Sequence, residues 1–135
     1  MVRTTPAAVL VVHRDRVRLE ELRELLGAGG YRVLAAQTAE LALQLLNGLQ
    51  VRCVVAALDL GDSGGLELAE EVHGRSPHTA LILLGDEPDL ERHPHVFGWL
   101  SDDSGAALLG MLRLAVDQAR LDLSARLLEK IQVAG

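Results

Sequence analysis

Aromatic side chains are scarce in this chain of 135 residues: Phe, Tyr and Trp together make up 2 % of it. Surfaces that stack nucleic-acid bases or flavin rings need several such side chains, so the composition argues against both ligands. There is also a single cysteine, Cys53, which lies in the middle of an apolar run. It cannot form a disulfide within the chain, and we interpret it as a small buried hydrophobic residue rather than a nucleophile.

Positive charge is also in short supply. The chain has 13 Lys and Arg against 19 Asp and Glu, a net charge of −6. The arginines are scattered among glutamates instead of forming a stripe, and binding to a phosphate backbone requires a basic face. We therefore expect no nucleic-acid partner.

Long hydrophobic segments are missing as well. No apolar run approaches the length of a transmembrane helix, and the run from Ala7 to Val12 is too short for the apolar region of a signal peptide. We expect no membrane partner and a cytoplasmic location. Apolar residues still make up 49 % of the chain, which is enough for one domain with a sizeable core.

Apolar runs and helical periodicity alternate along the chain. The predicted strands are Ala7–Val12, Tyr31–Ala36, Cys53–Leu58, Ala80–Leu84 and Val96–Leu100. The predicted helices are Val17–Leu26, Thr38–Asn47, Gly65–Gly74, a short Asp89–His93, and a long last helix from Ser104 to about Ile131. Unbroken apolar strands are typical of a parallel sheet covered on both faces, and five alternations predict an α/β fold with a doubly wound sheet.

Each helix has a predicted buried face. These faces are Leu19, Leu22 and Leu26; Leu41, Ala42 and Leu45; Leu66, Ala69 and Val72; and Leu108, Leu112, Ala115 and Ala119. Asp62 and Ser63 precede the third helix and are predicted to cap it. The glycines at 27, 29 and 30 follow a helix and precede a strand, which is the wrong context for a phosphate-binding loop, so we interpret them as a turn.

The stretch from Val51 to Leu68 indicates where function should be sought. It begins as a buried strand and continues into an acidic, glycine-rich loop. Open α/β sheets bind ligands at the carboxyl ends of their strands. The candidate site is therefore the tip around Ala57, Leu58 and Asp59.

The order of elements and four motifs together resemble a bacterial response-regulator receiver domain. The motifs are V-L-V-V in the first strand, G-Y-R-V-L-A-A before the second helix, G-G-L-E-L-A after the third strand, and F-G-W-L-S in the fifth. The resemblance covers residues 7–121 and implies a flavodoxin-like, five-stranded sheet of order 2-1-3-4-5. It divides the chain into a receiver-like domain, 1–121, and a helical extension, 122–135, which we interpret as a linker to a C-terminal output domain.

The residues at the family's active-site positions depart from its pattern. The family implies two magnesium-binding acids after the first strand, a phosphoacceptor aspartate at the end of the third, a Thr or Ser ending the fourth, and Lys-Pro after the fifth. The matching residues here are His13 and Arg14, Ala57, Gly85 or Leu84, and Asp102 followed by Asp103.

Phosphoryl transfer needs a carboxylate nucleophile, a hard cation held by oxygens, and a cation near the developing charge. We therefore predict that the chain accepts no phosphate, is not an enzyme, and uses no metal or cofactor. One alternative stays open: Asp59 becomes the acceptor if the loop is two residues shorter than usual. His13 with Asp15 or Asp59 is a second, weak metal-site alternative.

The charges at this site are reversed relative to the family. We predict that Arg14 or His13 forms an ion pair or hydrogen bond with Asp59, Asp102 or Asp103, which would fill the site from within. The alternative is that Arg14 points into solvent, where such a pair contributes little.

These observations predict a phosphorylation-independent, receiver-like signalling module of a bacterial two-component or related system. It would act by protein–protein interaction, with a signalling protein or an output domain of its own chain, or by forming a homodimer. An unsupported apolar helix seeks a partner, and the predicted interaction face consists of Trp99, Leu123, Leu127 and Ile131. The alternative is a domain that senses a small anion or metabolite on a flavodoxin-like fold, with Arg14 and Arg16 gripping the anion.

Overall fold

The computed structural model describes residues 7–85, 96–101 and 105–118. The strands are β1 (Ala8–Val12), β2 (Arg32–Ala36), β3 (Cys53–Ala57), β4 (Ala80–Leu84) and β5 (Gly98–Leu100). The helices are α1 (Arg16–Ala28), α2 (Ala39–Gly48), α3 (Gly65–Arg75) and α4, which covers residues 105–118. Strands and helices alternate as the sequence predicted.

The five strands form one parallel sheet with the order β2-β1-β3-β4-β5. This confirms the predicted fold class and strand order. The central strand β3 is buried along its whole length, because it has a strand on each side and helices on both faces.

Two apolar layers cover the sheet. Side chains alternate along each strand, so Leu10 and Val12 point to one face while Val9 and Val11 point to the other. The first layer packs these faces against α2 and α3, and the second packs them against α1 and α4. The sheet is therefore doubly wound, and burial of its apolar side chains is the main source of stability.

The predicted boundaries need small corrections. Helix α1 continues through Gly27 and Ala28, because Gly29 N–H still donates to the Leu25 and Leu26 carbonyls and the reversal comes only at Gly30, with φ +95°. Strand β2 begins one residue later than predicted, and β5 is shorter than predicted. The predicted helix at 89–93 and the extension beyond 118 lie outside the described residues.

Two predicted helix faces also change. Leu41 was predicted to be buried but is 42 % exposed, while Ala39 takes an inward position at 4 %. In α3 it is Leu68, rather than Leu66, that is fully buried beside Ala69 and Val72. The faces of α1 and α4 are confirmed where the structure describes them. Within the described ranges, no helix is long and apolar enough to cross a membrane.

Glycine is required at the start of α3. A Cβ at Gly65 would collide with the carbonyl oxygen of Ala57 and would lie 2.8 Å from Leu83 Cδ2. At Gly74, in the last turn of the same helix, an added Cβ would meet nothing within 4 Å.

We therefore expect Gly65→Ala to lower the free energy of unfolding by about 1–3 kcal/mol, because a packed site resists an extra methyl group. Gly74→Ala is the matched control and should leave stability unchanged or raise it by up to about 1 kcal/mol. Urea unfolding of the two variants measures both effects. Equal stability of the two variants would contradict the close approach of α3 to β3.

Candidate functional site

The candidate site lies at the carboxyl edge of the sheet, where β1, β3 and β4 end beside one another. The pairing register places Ala57 next to Leu84 and Val12 next to Ala56. The residues that follow these strands therefore come together: His13 and Arg14 after β1, Leu58 and Asp59 after β3, and Gly85 after β4. Asp102, also predicted to belong here, lies outside the described residues.

His13 is buried, at 7 % exposure, and is part of the local framework. Its backbone N–H donates to the Ala36 carbonyl over 3.1 Å, and its Nδ1 accepts a hydrogen bond of 3.0 Å from the N–H of Asp15. Since Nδ1 accepts, the ring proton belongs on Nε2. The imidazole thereby orients the residue that begins α1.

Arg14 forms the predicted ion pair with Asp59. The distance from Nη1 to Oδ2 is 3.0 Å. The other carboxylate oxygen, Oδ1, accepts from Gly61 N–H over 3.0 Å, in a turn where Gly61 has φ +83°. The side chains of Arg14 and Asp59 are 57 % and 76 % exposed, so the pair stabilises the fold by at most about 1 kcal/mol.

Apolar groups occupy the floor of the site. Ala57, 6 % exposed, presents a methyl group at the end of β3. The side chain of Leu58 covers Gly85, since a Cβ built at Gly85 would lie 2.9 Å from Leu58 Cδ1. Gly85 has φ +143°, a conformation that side chains rarely adopt. Neither strand end therefore offers a hydroxyl or carboxylate at this level.

Asp62 has a different role from the one predicted. It does not cap α3, which has Gly64 at its N-cap and no side-chain cap. Its carboxylate instead reaches the first turn of α2, where Oδ1 accepts from Ala39 N–H and Oδ2 from Glu40 N–H, each over 3.1 Å. These hydrogen bonds favour the ionised form and lower the pKa of Asp62 below 3.8.

The carboxylates that the structure describes at this edge are each engaged with the protein. Asp15 caps α1 by accepting from Val17 N–H, Asp62 binds α2, and Asp59 binds Gly61 and Arg14. Across residues 7–85, 96–101 and 105–118 there is no group of three or more His, Cys, Asp or Glu side chains that could hold a metal ion. The arrangement suits internal structure better than cation binding.

Sequence reasoning found the Arg14–Asp59 pair but missed the Asp62 contact. The available signal was that two polar residues, Asp62 and Ser63, precede one helix while another helix begins with only Thr38. Which helix Asp62 would reach depends on the fold. Of the predicted interaction face, Trp99 is half-buried against the α2 and α3 layer; the members beyond 118 lie outside the described residues.

The solved structures similar to this chain include many receiver domains of response regulators, which have the same arrangement of a parallel sheet between two helical layers. This is the class to which the fold corresponds. No protein-family model matches the sequence, and no curated protein matches it either.

Three solved structures illustrate the likeness. The signal receiver domain of an HD domain-containing protein from Pseudomonas fluorescens is 29 % identical, with 92 % of this chain and 96 % of that one covered and a TM-score of 0.81. A receiver domain from Methanospirillum hungatei is 21 % identical (87 % and 99 % covered, TM-score 0.81). An adenylate cyclase from Rhodopirellula baltica is 17 % identical (93 % and 98 % covered, TM-score 0.85). The last two show a shared fold alone.

The lowered pKa of Asp62 predicts a specific pH dependence. A carboxyl group whose folded pKa lies below its unfolded value stabilises the fold above the unfolded pKa, and this contribution is lost as the pH falls through the folded pKa. We expect the Asp62 carboxyl carbon, followed by NMR, to titrate with a midpoint below 3.8 in the folded chain. In urea the midpoint should return to the ordinary value.

The stability gap between the wild type and Asp62→Asn should accordingly shrink as the pH is lowered through the folded midpoint. A folded midpoint at or above the urea value would contradict the two hydrogen bonds to α2.

Proposed function

We propose that this chain is a receiver-like signalling module that works without phosphorylation, through contacts with other proteins. The proposal rests on two supports. The fold is that of receiver domains, and the structure with 29 % identity is a signal receiver domain. Fold alone does not define function, so the argument depends on the residues at the carboxyl edge.

The observation that carries the proposal is the state of the β3 strand end. Ala57 supplies a methyl group where phosphoryl transfer would need a nucleophilic oxygen. Arg14 and His13 occupy the end of β1, where a cation would need carboxylates. Asp59, the remaining candidate acceptor, already has one oxygen on Gly61 N–H and the other on Arg14.

The same geometry disfavours the two other functions considered. A small-anion sensor would need a cation with free hydrogen-bonding capacity, but Arg14 already pairs with a carboxylate whose negative charge would repel the anion. A catalyst would need a nucleophile or a proton-transfer group in the site. The one cysteine, Cys53, is buried in β3, and desolvation there raises the pKa of its thiol far above the ordinary range. We therefore propose no catalytic activity for this chain.

The expected result with a phosphoryl donor is that nothing binds covalently. The full chain is incubated with acetyl phosphate and magnesium, and separately with beryllofluoride and magnesium. Intact mass spectrometry should show no phosphoryl adduct, and amide NMR should show no saturable shifts around Ala57 and Asp59.

A receiver domain that is known to be active serves as the positive control in the same buffer. Asp59→Asn is the matched variant of the chain itself. A phosphoryl adduct on the wild type would refute the proposal, and its loss in Asp59→Asn would identify Asp59 as the acceptor.

We further propose that the module forms a symmetric dimer through its C-terminal helix. In the described part of this helix, Leu114 is 65 % exposed, and Phe97 beside β5 is 39 % exposed. The sequence beyond continues with Leu123, Leu127 and Ile131. An exposed apolar stripe of this kind is typical of a surface that a partner covers.

Sedimentation equilibrium of the full chain and of a chain ended at Leu121 tests the dimer. We expect the full chain to dimerise and the shortened chain to be a monomer, because the apolar positions after 121 are removed. Leu127→Glu should weaken the dimer, and Arg126→Gln, at the neighbouring position, is the control. If both lengths are monomers, or both dimerise equally, this helix is not the interface.

A further inference from the structure

Asp62 joins two segments that are distant in sequence. It belongs to the loop of residues 58–64 between β3 and α3, yet its carboxylate binds α2 with both oxygens. Ala39 N–H and Glu40 N–H are the two donors, 23 and 22 residues away along the chain. The contact therefore ties the loop after the central strand to the beginning of a different helix.

The two donors have no other acceptor to use within their own helix. The first N–H groups of an α-helix lack a preceding carbonyl partner and need an acceptor from outside the helix. In α2 the third such group, Leu41 N–H, is served locally by the Thr38 hydroxyl over 3.1 Å. The first two depend on Asp62, which makes the start of α2 dependent on the position of the loop.

The loop itself is closed by its own hydrogen bonds. Leu60 N–H donates to the Ser63 carbonyl over 3.1 Å, Asp59 and Gly64 form an isolated antiparallel bridge, and Asp59 Oδ1 holds Gly61 N–H. These contacts make the loop a compact turn rather than a slack connection. A force on Asp62 is therefore passed to the rest of the loop.

We propose that Asp62 is a latch that holds the β3–α3 loop against the first turn of α2, so that the loop and this turn open and close as one unit. A simple helix cap would stabilise α2 alone. A latch makes a second prediction, because its removal must also loosen the turn at Gly61, which Asp62 does not touch. This inference rests on the described contacts and holds whether or not the chain accepts phosphate.

Amide hydrogen exchange followed by NMR on the full chain distinguishes a latch from a cap. In Asp62→Ala we expect the amides of Ala39, Glu40 and Gly61 to exchange at least about fivefold faster, the factor typical of losing a capping side chain. The Leu41 amide should keep its rate, since its acceptor is Thr38. Asp62→Asn retains one carbonyl acceptor and should give an intermediate increase.

Glu67→Gln is the matched control, because it removes an exposed carboxylate near the start of α3 that accepts no backbone hydrogen bond in the described structure. It should leave all these rates unchanged. The amide of Val54 in β3 reports whether each variant remains folded. If Asp62→Ala fails to fold, Asp62→Asn is judged by the same criteria.

The alternative outcomes overturn the proposal. Faster exchange at Ala39 and Glu40 with an unchanged Gly61 would make Asp62 a helix cap and nothing more. Unchanged rates at all three amides would mean that the contact does not hold the loop. An equal effect of Glu67→Gln would assign the change to net charge instead of these hydrogen bonds.

Discussion

Coverage of a parallel sheet on both faces is the constraint on which the rest of this structure depends. Strands buried on two faces must be apolar throughout, and each must be followed by a helix that returns the chain to the opposite edge. As a result α1, α2 and α3 all begin at the same edge, the one where β1, β2 and β3 end. Their unpaired N–H groups collect there and require acceptors.

This demand accounts for the chemistry of the candidate site. Asp15 serves α1, and Thr38 and Asp62 serve α2, so side chains that could have bound a ligand are used in helix capping. Asp59 is likewise held by Gly61 and Arg14. A cation could recruit these carboxylates only by displacing backbone donors or an arginine. The edge is thus occupied by its own protein groups, which is the physical basis for proposing a module that needs no phosphate.

The interaction surfaces are determined by a different feature, the apolar side chains that the layers leave outside. Leu114 on α4 and Leu41 on α2 are exposed although their neighbours are buried. The two positions lie on opposite layers of the sheet, so they cannot belong to one continuous surface. Signalling through contacts could therefore use the α4 side for assembly, while α2 and the adjoining loop behave as a separate unit.

The sequence by itself determined the alternation of elements, the buried strands and the α1 face of Leu19, Leu22 and Leu26, because apolar periodicity is a local property. The opposite charges of Arg14 and Asp59 also sufficed to predict their pairing. Only the tertiary structure decided that Asp62 binds α2 instead of capping α3, since polar groups choose partners by proximity in space. It also decided that Leu41 faces outward and that Gly65 must lack a side chain, because both depend on how closely neighbouring elements approach.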